Sequence, residues 1–183
     1  MRRQLAVYVL CFSLVANLFL GLQLYNRDLT LNQVTWGNAV SDLWKHVNWA
    51  SISVTARSDG RVMGPDLEGL SEALEDLEAL QYLPFYGQRA SFEDVNTLRQ
   101  FLRYTGLAYA LALKEQGDTG TVSAESADRL QRIHEGLELV LQANERTNQL
   151  TNARKPWSHA PWRDLWREIA ENLRQLDFVP LPE

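Results

Sequence analysis

The sequence predicts an all-α protein in which an N-terminal transmembrane helix is followed by an extracytoplasmic bundle of four or five helices. Three observations predict this class: an uncharged apolar run near the start of the chain, apolar residues that recur every three or four positions in the remainder, and turn-forming residues between those repeats. The chain has 183 residues, of which 45% are hydrophobic. That length suits one ordinary domain and is too short for two well-built cores.

The membrane anchor is predicted from residues 5–24, which carry no charge. At about 1.5 Å per residue, such a helix spans about 30 Å, which is the thickness of one hydrocarbon core. Tyr25 follows at the position of an interfacial aromatic residue. We therefore expect a signal-anchor over residues 1–25, in contact with membrane lipid through residues 5–25, and a helical bundle domain over residues 26–183. A cleaved signal peptide is the alternative, but its apolar core is shorter, at about 7–15 residues, and no good cleavage site follows this run.

The flanking charges predict the orientation of the anchor. Arg2 and Arg3 precede the run, whereas Arg27 behind it is offset by Asp28. The positive-inside rule then keeps the N-terminus in the cytoplasm and exports the bulk of the chain. The longest later apolar run, residues 107–113, is too short to return through the membrane. We expect a single-pass protein of the cell membrane.

The first exported helix is predicted to begin at Thr30, where Gln33 completes a capping box, and to end near residue 56. Its apolar positions lie four and three residues apart: Trp36, Val40, Leu43, Val47, Ala50 and Val54. A short hairpin over residues 51–63, turning at Asp59-Gly60, is the alternative. We favour the helix because an isolated hairpin with so few apolar residues would have little to bury.

The second helix is predicted to start at Pro65 and to end before Pro84. It carries a leucine stripe and six acidic residues without a base: Asp66, Glu68, Glu72, Glu75, Asp76 and Glu78. We interpret these acids as a solvated helix face, because the segment has no loop of the kind that binds calcium. An aromatic loop over residues 83–87 follows, and it would either cover one end of the bundle or contact a partner.

Capping residues predict the remaining helices. Ser91 with Asp94 opens the third helix, which Gly117 is expected to end, and Ser123 caps the fourth. After a break at residues 155–161, the last helix has a clean 3.6-residue period. Its apolar positions are Trp162, Leu165, Trp166, Ile169, Leu173 and Leu176.

The chemistry of catalysis is not visible in this sequence. Residues His134 to Glu138 resemble the helix motif by which zinc proteases bind their metal, but glutamate stands at the last position, where that motif requires a second histidine. We therefore expect no metal and no cofactor. There is no nucleophile elbow and no phosphate loop. The net charge of −5 disfavours nucleic acid as a partner. The single cysteine, Cys11, allows no internal disulfide. We predict that the protein is not an enzyme.

Tryptophans are the most unusual feature of the composition, with six in the chain. They occupy the first and last exported helices, and five of them join two loop aromatics as candidate partner or ligand contacts: Trp36, Trp44, Trp157, Trp162, Trp166, Phe85 and Tyr86. Two alternatives are packing of the two helices on each other through their indoles and placement of some indoles at the membrane interface. We expect the Trp162–Trp166 helix to pack on the Trp36–Val47 helix.

These observations favour a non-enzymatic role in the cell envelope. The leading hypothesis is a membrane-anchored interaction or assembly module that works beside a membrane or envelope protein partner. The alternative is a bundle that binds a small ligand in a tryptophan-rich pocket. The residues carry no family signature, so no activity is inferred from resemblance.

Overall fold

The computed structural model describes residues 2–53, 67–151 and 159–176, with side chains over 12–51, 68–151 and 159–176. Within these residues the structure is helical and has no strand. The helices are α1 (Arg2–Ser53), α2 (Leu67–Leu80), α3 (Tyr86–Arg89), α4 (Phe92–Thr119), α5 (Ala124–Thr151) and α6 (Ala160–Gln175). The predicted all-α class is confirmed. The start of the second helix at Pro65 and the possible hairpin over 51–63 concern residues outside the described ranges, except for the first three hairpin positions, which are helical.

In the described part of the chain, no helix is long and apolar enough to cross a membrane. The predicted span begins at residue 5, and the side chains of its first seven residues lie outside the described part. The apolar side chains that are described, from Phe12 to Tyr25, are mostly exposed. The predicted transmembrane span gains no support from the described residues, and it stays a prediction.

The first helix differs from its predicted form because it has no break near Tyr25 or Thr30. Thr30 Oγ1 donates a hydrogen bond of 2.9 Å to the Asn26 carbonyl oxygen, one turn earlier, so it does not cap a helix start. Gln33, the expected partner in the capping box, donates instead to the Leu150 carbonyl oxygen on α5. The prediction of a separate helix start was wrong because the preceding residues, which include no proline, continue the helix.

The bundle is built around the second half of α1. This part of α1 packs on α2 and α5, whereas α6 packs on α4 and α5. The predicted stripe of α1 is confirmed where the structure describes it, because its members are buried in the core: Trp36, Val40, Leu43, Val47 and Ala50. The core therefore sits between two layers of helices, and α1 enters it at the buried Leu29.

Two predicted caps are confirmed. The Ser91 side chain accepts a hydrogen bond of 3.1 Å from the Asp94 backbone N–H at the start of α4. The Ser123 hydroxyl accepts one of 3.2 Å from the Ser126 backbone N–H at the start of α5. Both serines satisfy an N–H group that has no partner inside its helix.

One predicted helix end was wrong and one is confirmed. Helix α4 continues through Gly117 and ends at Thr119; Gly120 caps it with a φ of 85°, in the left-handed region that favours glycine. Helix α2 ends at Leu80, which confirms the predicted end before Pro84, and a turn closed by the Gln81 N–H follows. The loop that follows is not irregular throughout, because it contains the single turn of α3.

Candidate functional site

Four tryptophans join the last helix to the first. The rings of Trp36 and Trp162 meet edge to face at 6.1 Å, and those of Trp44 and Trp166 lie 5.8 Å apart at 38°. The predicted contact between these helices is confirmed. The backbones of α1 and α6 are not close neighbours, so the large indoles span the space between them. All four rings are buried, and therefore none is accessible to a partner in this structure; Trp157 lies outside the described residues.

A buried arginine lies beside this layer of indoles. Arg89, at the end of α3, is 0% exposed. Its Nε donates a hydrogen bond of 3.2 Å to His159 Nδ1, and its Nη1 donates one of 3.0 Å to the Asn32 carbonyl oxygen. The guanidinium carbon lies 5.6 Å from the centre of the Trp36 ring and 5.9 Å from that of Phe85. Among the described residues, no carboxylate forms an ion pair with Arg89.

Aromatic rings enclose the guanidinium on several sides. Phe85 stacks on His159 at 5.2 Å and 24°, and Tyr86 contacts Trp36 at 6.1 Å. Phe85 holds a φ of 63°, a left-handed conformation that costs energy for a residue with a side chain. We call this group the Arg89 cluster, and its members are Asn32, Trp36, Phe85, Tyr86, Arg89, His159 and Trp162.

Burial shifts the titration of three groups in the Arg89 cluster. It lowers the pKa of Arg89, because the charged form loses hydration. It also lowers the pKa of His159, and the neighbouring Arg89 cation adds to that shift. Burial raises the pKa of the Tyr86 hydroxyl, against the opposing influence of the Arg99 cation on α4. The cluster therefore favours a neutral imidazole that accepts from Arg89, and it holds a positive charge with no anion beside it in the described part.

Several donors in and beside the Arg89 cluster lack a hydrogen-bond partner. They are the Trp36 indole N–H, the Tyr86 hydroxyl, Arg89 Nη2, and Nε and Nη2 of Arg99. Buried polar groups in folded proteins are almost always paired, so such a concentration of unpaired donors is exceptional. The arrangement is suited to holding an acceptor rather than to transferring a proton.

His46 on α1 forms a second polar contact that the sequence did not predict. Its Nε2 lies 3.0 Å from Glu72 Oε2, and its Nδ1 lies 2.7 Å from Asp76 Oδ2. Carboxylates are acceptors, so the imidazolium, with a proton on each nitrogen, is the form that satisfies both contacts. The interpretation of the acidic face as wholly solvated was wrong for these two carboxylates, because α2 turns them toward α1. They tie α2 to α1 in a structural role.

No group of three or more potential ligand side chains is arranged to hold a metal ion within the described residues. His134 Nδ1 has no hydrogen-bond partner, although Glu138 lies one turn further along α5. Glu138 Oε1 instead accepts a hydrogen bond of 3.0 Å from Ser51 on α1. Glu138 therefore joins α5 to α1 through Ser51, and it does not accept a hydrogen bond from His134 Nδ1.

A polar groove runs between α1 and α5. Its cavity measures about 490 Å³ and is lined by Ser41, Trp44, Lys45, Asn48, Glu138, Leu141, Asn144 and Asn148. Of the predicted contact residues, Trp44 alone lines it, and that side chain is buried at its base. The groove is thus lined mainly by amide and charged side chains, not by the tryptophan-rich surface that the sequence predicted.

The structure separates the predicted contact residues into two groups. Trp36, Trp162, Phe85 and Tyr86 meet in the Arg89 cluster, whereas Trp44 and Trp166 pair in the adjacent core layer. Sequence reasoning missed the basic residues of the site: Arg89, Arg99 and His159. The available signal was that Arg89 lies two residues after the aromatic loop, next to the candidate contacts Phe85 and Tyr86.

Comparison with protein-family models, curated proteins and solved structures finds no match for this chain.

Proposed function

We propose that this protein is a membrane-anchored extracytoplasmic interaction module without catalytic activity. The observation that carries the proposal is the continuity of α1, a single helix of 52 residues. Its second half forms the core of the bundle, and its first half projects from the bundle with exposed apolar side chains. A continuous helix couples the two halves rigidly, so the bundle would be held at a fixed height and rotation relative to the membrane.

The sequence and the exposure of α1 together support the anchor. Residues 2–28 precede the buried Leu29, and at about 1.5 Å per residue they span about 40 Å, enough for the hydrocarbon core and one interface. The run over residues 5–24 is uncharged, and its described apolar side chains are mostly exposed. Membrane lipid would cover these side chains. Arg2 and Arg3 favour a cytoplasmic location for the N-terminal end of the run.

An exposed apolar strip on α4 supports the interaction role. Leu107 is 56% exposed and Leu111 is 49% exposed, and they lie one turn apart on the same helix face. Exposed Ala110 extends the strip. Contiguous exposed apolar residues on a helix favour contact with another protein. The partner we propose is a membrane or envelope protein with a matching apolar face.

The topology is tested with an impermeant thiol reagent on intact cells. In a Cys11→Ser background, Gln142→Cys on exposed α5 is expected to react, and Arg3→Cys is expected to react only after permeabilisation. The opposite labelling pattern would contradict the orientation. A mature chain that starts near residue 22 or 26 would contradict the anchor itself.

The interaction role is tested by placing a photo-crosslinking amino acid at position 107 or 111 in the membrane-bound protein. We expect a discrete crosslinked product from each position and none from the matched exposed position 142. Equal crosslinking from all three positions would indicate random collision and would contradict a specific surface.

Binding of a small ligand is the second candidate, and the groove between α1 and α5 favours it. Its volume of about 490 Å³ falls in the range of small-molecule sites, and its amides offer both donors and acceptors. A neutral polyhydroxylated ligand, such as a saccharide, suits such a lining. Saturable thermal stabilisation of the full-length chain by a saccharide would support this function, provided that Asn144→Leu abolishes it. The absence of such stabilisation across a saccharide panel would count against it.

A further inference from the structure

We propose that the Arg89 cluster, together with Arg99, binds one oxyanion of the phosphate class. The inference goes beyond the proposed function, because it assigns a ligand to a site that the interaction role does not use. It stands on the unpaired donors, the uncompensated charge and the position of the cluster in the bundle.

The unpaired atoms of the Arg89 cluster and of Arg99 are donors; Gln33 Oε1 on α1 is a buried unpaired acceptor in the described part. The Trp36 indole and both guanidinium groups can only donate, and the Tyr86 hydroxyl is free to donate as well. The Arg89 guanidinium has three nitrogens. Nε donates to His159 and Nη1 donates to Asn32, so only Nη2 is left without an acceptor. The missing component is therefore an acceptor, and five donor atoms call for a group with several oxygens.

Arg99 offers the more specific geometry. Its unpaired atoms, Nε and Nη2, form one edge of the guanidinium, which is the fork that binds two oxygens of a phosphate side by side. The Tyr86 ring contacts Trp36, which lies under the Arg89 guanidinium, and the Arg99 cation lowers the pKa of the Tyr86 hydroxyl against the larger effect of burial. A phosphate has four oxygens, enough for this fork and for further donors, whereas a carboxylate has two.

The site is positively charged, as the binding of an oxyanion requires. No carboxylate among the described residues pairs with Arg89 or Arg99, although the whole chain carries more acidic than basic residues. The aromatic rings over Arg89 attract the cation, but they do not neutralise it. A bound anion would supply both the countercharge and the missing acceptors.

The site lies at the end of the bundle that α1 enters. Asn32, which accepts from Arg89, is seven residues from Tyr25 on the same helix, about 10 Å along its axis. Half-buried Phe85 lies against the Arg89 guanidinium, with its backbone in a strained left-handed conformation. The phosphate can thus come from solution or from a lipid headgroup, and the lipid source alone rests on the proposed anchor.

The test uses the full-length chain, in non-ionic detergent for inorganic phosphate and in nanodiscs for lipid. We expect a saturable rise in Tm with phosphate, or a higher Tm in phosphatidylglycerol than in phosphatidylcholine nanodiscs. Arg99→Gln is expected to weaken the response at least tenfold. Arg103→Gln, an exposed arginine one turn further along α4, is the matched control and should respond as the wild type does. Arg89→Gln removes a fully buried side chain and is expected to impair folding, so half-buried Arg99 and Tyr86 carry the test.

The two sources give different results. A response to inorganic phosphate that is lost in Arg99→Gln supports a soluble anion, and this arm remains valid even if the anchor proves to be absent. A response to phosphatidylglycerol alone, lost in the same variant, supports a lipid headgroup. No saturable response in either medium, or an undiminished response in both Arg99→Gln and Tyr86→Phe, would overturn the proposal.

Discussion

Trp44 and Thr147 are joined by a buried hydrogen bond of 2.7 Å, in which the indole N–H donates to the threonine hydroxyl. The same hydroxyl donates to the Ala143 carbonyl oxygen at 3.0 Å. One small polar side chain on α5 therefore satisfies the N–H of a buried tryptophan of α1. Trp166, which contacts Trp44, has no such partner for its own N–H.

Thr147→Val is expected to destabilise the protein by about 1–3 kcal/mol. The substitution keeps the shape of the side chain but leaves the Trp44 N–H buried without an acceptor. Chemical denaturation of the full-length chain in detergent measures the change. Thr35→Val is the matched control, because exposed Thr35 bonds only the Leu31 carbonyl oxygen one turn earlier. Equal effects of the two substitutions would show that the Trp44 contact contributes nothing.

Trp166→Ala is expected to cost about 3–5 kcal/mol, because it opens a large cavity where α6 meets α1. Trp49→Ala should cost less, since Trp49 is 49% exposed and its ring contacts His46 near the surface. Both values come from denaturation of the same preparation. If the Trp166 variant melts with the wild type but no longer captures its partner, the indole belongs to a recognition surface instead.

Gly37→Ala is expected to destabilise the contact of α1 with α5 by about 1–3 kcal/mol. A Cβ at Gly37 would overlap the Thr151 side chain, including its Cβ, which cannot move without the backbone. Gly117→Ala is the control. It lies within α4 with open space around it, so the substitution should stabilise the protein by about 0.5–1 kcal/mol through helix propensity. Changes in Tm of the same sign for the two variants, each relative to the wild type, would contradict this packing.

The pH dependence of stability is expected to include a contribution from His159. Its pKa is lowered in the folded state, chiefly by burial and also by Arg89, so the unfolded chain binds a proton more readily. Stability should therefore fall as the pH drops below about 6.5, the unfolded pKa of histidine, toward the lower folded value. The proton on Nδ1 would also displace the bond from Arg89 Nε.

His159→Gln tests this contribution, because glutamine can accept from Arg89 without titrating. The variant should lose less Tm than the wild type between pH 7 and pH 5. His134→Gln is the matched control for the substitution, because it removes a histidine that lies outside the Arg89 cluster and whose Nδ1 makes no hydrogen bond. An unchanged profile for His159→Gln would show that the imidazole is not held neutral.

Local patterns determined much of the fold in advance. The stripe from Trp36 to Ala50 and the caps at Ser91 and Ser123 depend on residues within a turn or two of one another. Helical periodicity and capping act over that distance, so both are visible in the sequence. The bulk of the indoles was sufficient to predict that the last helix packs on the first.

Helix ends were harder to predict where two local signals compete. Thr30 and Gln33 match a capping box, yet a helix already running through them leaves the Thr30 hydroxyl to bond one turn back. Gly117 matches a helix stop, yet Gly120 takes the left-handed conformation and ends the helix. Which of two candidate positions ends a helix depends on what the next segment packs against, and that is decided by tertiary contacts.

The sequence by itself determined that the chain is helical, which faces are apolar and which aromatic residues are available to a site. Only the tertiary structure decided that Arg89 is buried among them. Arg89 meets His159 across 70 residues of chain and Asn32 across 57. Contacts at such separations follow from how whole helices pack, not from spacing along the chain. For this reason a lone arginine after an aromatic loop looked ordinary in the sequence, and in the fold it is a buried cation with no carboxylate paired to it among the described residues.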